Sequence, residues 1–109
     1  MTTYEVHSSG DSAHIGSSGD YARIGSSGDS AHIGSSGYSA KIVASGEHAV
    51  IASAGVNAVA AGAIGTWLSL AEFDATGKCI GFATGCIGQD GLEPDTAYRA
   101  SGGKLVKVE

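Results

Sequence analysis

The amino-acid sequence predicts an all-β protein: a short parallel β-solenoid, or β-roll, of nine-residue half-coils with a small antiparallel β cap at its C-terminal end. Three observations predict it. Residues 8–61 divide into six blocks of nine, alanine and isoleucine stand two apart within the blocks, and after Gly65 the nine-residue register ends. Apolar residues alternating at a spacing of two mark a half-buried strand. A fixed period repeated along the chain marks a stacked architecture. The expected organisation is a repeat region over 1–65, with an incomplete first rung over 1–7, and a cap over 66–109.

The blocks read SSGDSAHIG, SSGDYARIG, SSGDSAHIG, SSGYSAKIV, ASGEHAVIA and SAGVNAVAA. The first and third are identical and the second differs at Tyr21 and Arg23, an alternation that points to a unit of 18 residues made of two similar halves. One inward column is Ala13, Ala22, Ala31, Ala40, Ala49 and Ala58; two residues on comes Ile15, Ile24, Ile33, Ile42, Ile51 and Ala60. The Gly-Ser-Ser-Gly run between strands supplies backbone freedom for a sharp turn, so like residues stack about 4.8 Å apart. Tyr4 and Val6 fall in the same columns one period earlier, which places Tyr4 as a plug for the N-terminal end. Solenoids need such caps. A disordered Gly/Ser linker is the alternative, and the strict Ala-x-Ile alternation argues against it.

Composition narrows the function. The 109 residues include 18 glycines, 15 serines and 17 alanines, with 6% aromatic and 16% charged. A conventional core of Leu and Phe is therefore excluded. Five buried isoleucines contribute about 1.5–3 kcal/mol each against an ordering cost of about 1–2 kcal/mol for every residue. So thin a core predicts a homo-oligomer, dimer or trimer. The net charge of −5 argues against direct binding to a nucleic-acid backbone. No apolar run reaches the roughly 20 residues that cross a bilayer, and residues 1–7 lack the pattern of a secretory signal. Cys79 and Cys86 make no disulfide framework, so a reducing cytoplasm is the expected compartment.

Three columns face outward: His14, Arg23, His32, Lys41, Val50, Val59; then Asp11, Asp20, Asp29, Tyr38, Glu47, Val56; then Gly16, Gly25, Gly34, Val43, Ala52, Ala61. All three turn apolar between residues 43 and 56. Soluble monomers avoid such a patch, so Val43, Val50, Ala52, Val56, Val59 and Ala61 form the candidate interface, covered by the C-terminal segment or by another subunit. Asp11, Asp29 and Glu47 form a candidate acidic edge that would suit a basic partner or stand simply solvated.

Past Gly65, residues 66–73 read as a strand, 74–78 as a turn and 79–83 as the returning strand. Turn signals follow at 89–91, 94–96 and 101–104, the last leading to a strand over 105–108. No stretch has helical periodicity. The cap holds Trp67, Phe73 and Phe82, the chain's only Trp and both its Phe residues.

Two resemblances arise from these motifs. The repeat rhythm is similar to the head repeats of trimeric autotransporter adhesins, which implies a trimerising parallel β-roll. The Gly-Asp-Ser/Tyr-Ala repeats, followed by Gly65-Thr66-Trp67-Leu68-Ser69-Leu70-Ala71-Glu72 and Pro94-Asp95-Thr96-Ala97-Tyr98, resemble an uncharacterised family of phage and prophage proteins. That resemblance covers most of the chain from Ser8 and departs at the front, where the family has a longer region. It implies a phage origin and a β-solenoid, and no activity.

Calcium-binding nonapeptides share the period, but here Ser17 and Ser26 replace the second glycine and the acidic column decays to Tyr38 and Val56. His14 and His32 should stack one coil apart, yet no third ligand recurs beside them, so no metal is expected. Cys79 and Cys86 have no zinc or nucleophile partners and are expected as buried structural thiols. Gly77-Lys78 and Gly103-Lys104 lack the spacing of a phosphate loop, and no flat threonine array suggests ice binding. No catalytic residue, cofactor or metal is expected. The leading expectation is a non-catalytic, phage- or prophage-encoded protein-binding module in the host cytoplasm, an anti-CRISPR-like inhibitor of a bacterial defence system with a host protein as partner. The alternative is a self-assembling virion or fibre component.

Overall fold

The computed structural model of the chain describes residues 5–8, 10–12, 14–17 and 20–108, with side chains from Gly10 onward. In the repeat region the chain forms β1 (Glu5–Ser8), β2 (His14–Ser17), β3 (Arg23–Ser26), β4 (His32–Ser35), β5 (Lys41–Ala44), β6 (Val50–Ser53) and β7 (Val59–Gly62). It continues with β8 (Trp67–Phe73), β9 (Cys79–Cys86), β10 (Tyr98–Ser101) and β11 (Lys104–Lys107). Successive strands pass between two walls. Sheet A has the order β1-β3-β5-β7-β10-β11 and sheet B the order β2-β4-β6-β8-β9. The pairings from β1 to β7 are parallel, with registers such as Ile15↔Ile33↔Ile51 and Ile24↔Ile42↔Ala60. The fold is a β-solenoid of about three turns with antiparallel strands at its C-terminus, and each coil is the 18-residue pair of blocks.

The interior follows from the alternation. Ala22, Ala31, Ala40, Ala49 and Ala58 and Ile24, Ile33, Ile42 and Ile51 are all 4% exposed or less. A third inward column, which the Ala-x-Ile pattern does not single out, is Ser26, Ser35, Ala44 and Ser53, also buried. The Ser53 hydroxyl accepts the Gly55 N–H at 3.3 Å, whereas the buried hydroxyls of Ser26 and Ser35 have no hydrogen-bond partner among the described residues. Ala13 and the proposed plug Tyr4 lie outside the described residues; Val6 stands at the register position of Ile24. Ile15, in the first rung, is only half-buried.

The turns work differently from the sequence expectation. The left-handed residue is the one after the acidic column: Ser12, Tyr21, Ser30, Ser39, His48 and Asn57 all have φ between 55° and 59°. The glycines answer a different demand. A Cβ on Gly28 would lie 2.0 Å from the carbonyl oxygen of Gly10, and one on Gly46 2.1 Å from that of Gly28. Close stacking of successive coils, more than backbone handedness, therefore requires glycine there.

The final rung is one residue short. Val50 pairs with Trp67 and Ile51 with Leu68, a step of 17 instead of 18. The shortened connection buries Thr66, whose Cγ2 would stand 2.7 Å from a Cβ on Gly62. As a result β8 stacks in parallel on β6 and also opens the antiparallel hairpin with β9, so both sheets run through the boundary at residue 65. β10 lies antiparallel on β7 through Tyr98↔Ala60 and turns back to β11 over Gly102 and Gly103. Both glycines have positive φ, 63° and 79°, as a two-residue hairpin turn demands. Leu68, Leu70, Ile87 and Tyr98 join the solenoid core, with Leu92 and Leu105 packed against it.

Candidate functional site

The two edges of the solenoid are built from interlocked turns. On one, the Asp29 N–H donates to Asp11 Oδ1 at 3.0 Å and the Glu47 N–H to Asp29 Oδ1 at 2.9 Å. In return the Ser12 N–H donates to the Asp29 carbonyl and the Ser30 N–H to the Glu47 carbonyl, both at 2.7 Å. Asp11, Asp29 and Glu47 are thus brought into one exposed line, and the first two carboxylates already serve as caps for the next coil. The opposite edge repeats the device, with the Tyr38 N–H on Asp20 Oδ1 at 3.0 Å. There the rings of Tyr21 and Tyr38 meet edge to face, centroids 5.8 Å apart.

The six residues of the candidate interface do not share one surface. With an 18-residue coil, alternate blocks face opposite ways: Val50 and Ala52 lie on sheet B, while Val43, Val59 and Ala61 lie on sheet A and Val56 sits in an edge turn. Val43, Val50 and Ala52 are exposed, Val56 and Val59 half-buried, and Ala61 is buried at 8%. Val56 and Val59 form one wall of a ≈ 630 Å³ groove whose other wall includes Phe73, Arg99 and Ser101. The C-terminal segment thus flanks part of the apolar set on sheet A.

The outer face of sheet B combines small residues with exposed Val50 and Trp67. Its register aligns His14, His32, Val50 and Trp67 in one column, with Gly16, Gly34, Ala52 and Ser69 in the next. The His14 and His32 rings stack with centroids 4.9 Å apart and planes 14° from parallel. Val50 is 42% exposed and Trp67 48%. The small residues leave a shallow groove of ≈ 410 Å³ bordered by Gly16, Gly34, Ala52 and Phe82. Sequence alone places Trp67 and Phe82 only in the cap. The missed signal is the one-residue deletion before β8, which brings Trp67 into the outward column. The outward column of sheet A differs in chemistry, carrying Arg23 and Lys41.

Three carboxylates of the C-terminal part, Glu72, Asp74 and Glu93, are engaged in structure. Glu72 accepts the Gly102 N–H on Oε2 at 2.7 Å and the Gly103 N–H on Oε1 at 2.8 Å, pinning the β10–β11 turn to β8. Asp74 Oδ1 accepts the Thr76 hydroxyl at 2.6 Å, the Thr76 N–H at 2.9 Å and the Lys78 N–H at 3.1 Å. The Thr76 hydroxyl is the main cause, and the Lys78 N–H the next, of a carboxyl held below its ordinary range. Glu93 is likewise lowered by its hydrogen bond and ion pair with Lys107 at 2.7 Å. Of the thiols expected to be buried, Cys86 is, whereas Cys79 is exposed at the start of β9. Among the described residues, no group of three His, Cys, Asp or Glu side chains is gathered for a metal ion.

No known protein family, curated protein or solved structure matches the chain. The outer surfaces therefore carry the functional reading by themselves.

Proposed function

We propose that the chain is a non-catalytic protein-binding module, encoded by a phage or prophage, that docks a bacterial host protein through the outer face of sheet B and inhibits a defence system. The observation that carries the docking reading is the exposed Val50–Trp67 column beside the shallow Gly16–Gly34–Ala52 groove. A flat strip of small residues lets a partner approach the backbone closely, and an aromatic at its margin is the usual kind of anchor. The engagement of Asp11, Asp20, Asp29, Glu72 and Asp74 in backbone hydrogen bonds supports a structural use of these carboxylates over acid–base work. The phage origin and the inhibitory role rest on the repeat and Trp-containing motifs alone.

The test is retention of a host protein from bacterial lysate by the immobilised chain. A stoichiometric partner held by wild type and released by Val50→Asp or Trp67→Ala is the expected result. Retention of nothing, or equal retention by both variants, overturns the docking face. The alternative of a self-assembling structural component draws its support from a different feature, the uncharged edge of sheet B.

A further inference from the structure

Four strands end the two sheets: β1 and β11 in sheet A, β2 and β9 in sheet B. Exposed edges invite pairing with another chain, and proteins commonly guard them with charge, proline or short length. β1 is four residues long and carries Glu5 and His7; β2 is four and carries His14; β11 is four and carries Lys104 and Lys107. β9 is eight residues, Cys-Ile-Gly-Phe-Ala-Thr-Gly-Cys, with no charged residue and no histidine. Among the described residues it pairs only with β8. Its side chains Ile80 and Phe82 are 58% and 54% exposed.

We propose that β9 is a strand-pairing site whose occupant is β9 of a second copy, joined antiparallel about a twofold axis so that two copies of sheet B form one continuous sheet. Charge favours this occupant. Each copy has a net charge of −5, and β9 is the one edge strand among those described with neither a charged residue nor a histidine, so two copies meet along it without burying charge at the seam. An antiparallel twofold also sets Ile80 and Phe82 of one copy among those of the other, the arrangement in which cross-strand apolar pairs stabilise a sheet. Backbone donors and acceptors supply the rest of the recognition. Phe82 also borders the groove of the sheet B docking face, but this inference rests on the edge of β9 and survives the failure of that reading.

Sedimentation of the full chain over a range of concentrations, combined with amide exchange, tests it. Wild type should be a dimer at high concentration, with slow exchange confined to 79–86 among the sheet edges and lost on dilution. Phe82→Lys and Ile80→Lys should each be monomeric wherever wild type is dimeric, with unchanged β-sheet circular dichroism, while Val106→Lys on β11 should leave the dimer intact. A monomer at every concentration overturns the proposal. So does a dimer that persists in Phe82→Lys, or one that protects another edge or face. Protection of 79–86 only in the presence of a foreign protein also overturns it, and would assign the edge to that protein's strand. Should the lysine variants fail to fold, the exchange pattern of wild type decides.

Discussion

Gly46 stands directly over Gly28, so close that a Cβ on Gly46 would lie 2.1 Å from the Gly28 carbonyl oxygen. Gly55 has the same relation to Gly37, at 2.0 Å. The residue with positive φ stands two positions after the glycine and is Ser, Tyr, His or Asn in all six turns of the repeat. The two roles that a glycine can play in a turn are therefore divided between columns two residues apart.

This division sets opposite signs for two substitutions. Gly46→Ala should lower the melting temperature, because the added methyl meets rigid backbone and forces the coils apart. Ser30→Gly should raise stability by about 1 kcal/mol or less, since it relieves a left-handed residue at some entropic cost. Chemical denaturation of both variants checks the pair, and the reverse ordering would refute the assignment of roles.

Ser35→Ala is expected to be neutral or to stabilise by about 1 kcal/mol, because it removes a buried hydroxyl that has no partner among the described residues. Ala44 already occupies the equivalent place in β5. By contrast Ala31→Leu, at a position 0% exposed, should destabilise by about 1–3 kcal/mol through overpacking. Urea midpoints distinguish these outcomes.

Asp29→Ala leaves the Glu47 N–H without its acceptor at 2.9 Å and should cost about 1 kcal/mol. Asp29→Asn keeps an oxygen at the same place and should recover most of the loss. Equal destabilisation by both variants would show that charge, and not the turn bond, is what matters there.

The hairpin turn between β8 and β9 gives a pH-dependent signature. Asp74 titrates below the ordinary carboxylate range, chiefly through the Thr76 hydroxyl. A carboxyl lowered on folding adds stability above its unfolded pKa and loses it as pH falls through the folded one. The stability difference between wild type and Thr76→Val should thus be full at neutral pH and vanish in acid. Carbon NMR titration of Asp74 should show an upward move in Thr76→Val; an unmoved titration counts against the hydroxyl as the cause.

The solenoid and its inward Ala and Ile columns are legible in sequence because volume and alternation leave no other place for Ile24, Ile33, Ile42 and Ile51. Two things are not legible at that level. Reading columns at nine residues merges Val43 with Ala52, although the coil of 18 sends them to opposite walls. Local alternation also cannot show that the step from Ile51 to Leu68 is 17, so Trp67 is read as part of a separate cap when it extends the outward column of His14, His32 and Val50. The candidate surface is consequently half visible: its small residues and Val50 stand out in the repeat, while Trp67 and Phe82 require the register of β8 and β9.

The pairing of blocks into coils also restricts how such a gene can change length. Gain or loss of two adjacent blocks would leave every remaining strand on its own wall, merely making the stack taller or shorter. Gain or loss of one would carry β8 to the wrong side, where the shortened connection, the buried Thr66 and the hairpin that follows could no longer close the end. Natural variants of this protein should therefore differ in length by whole coils of 18 residues.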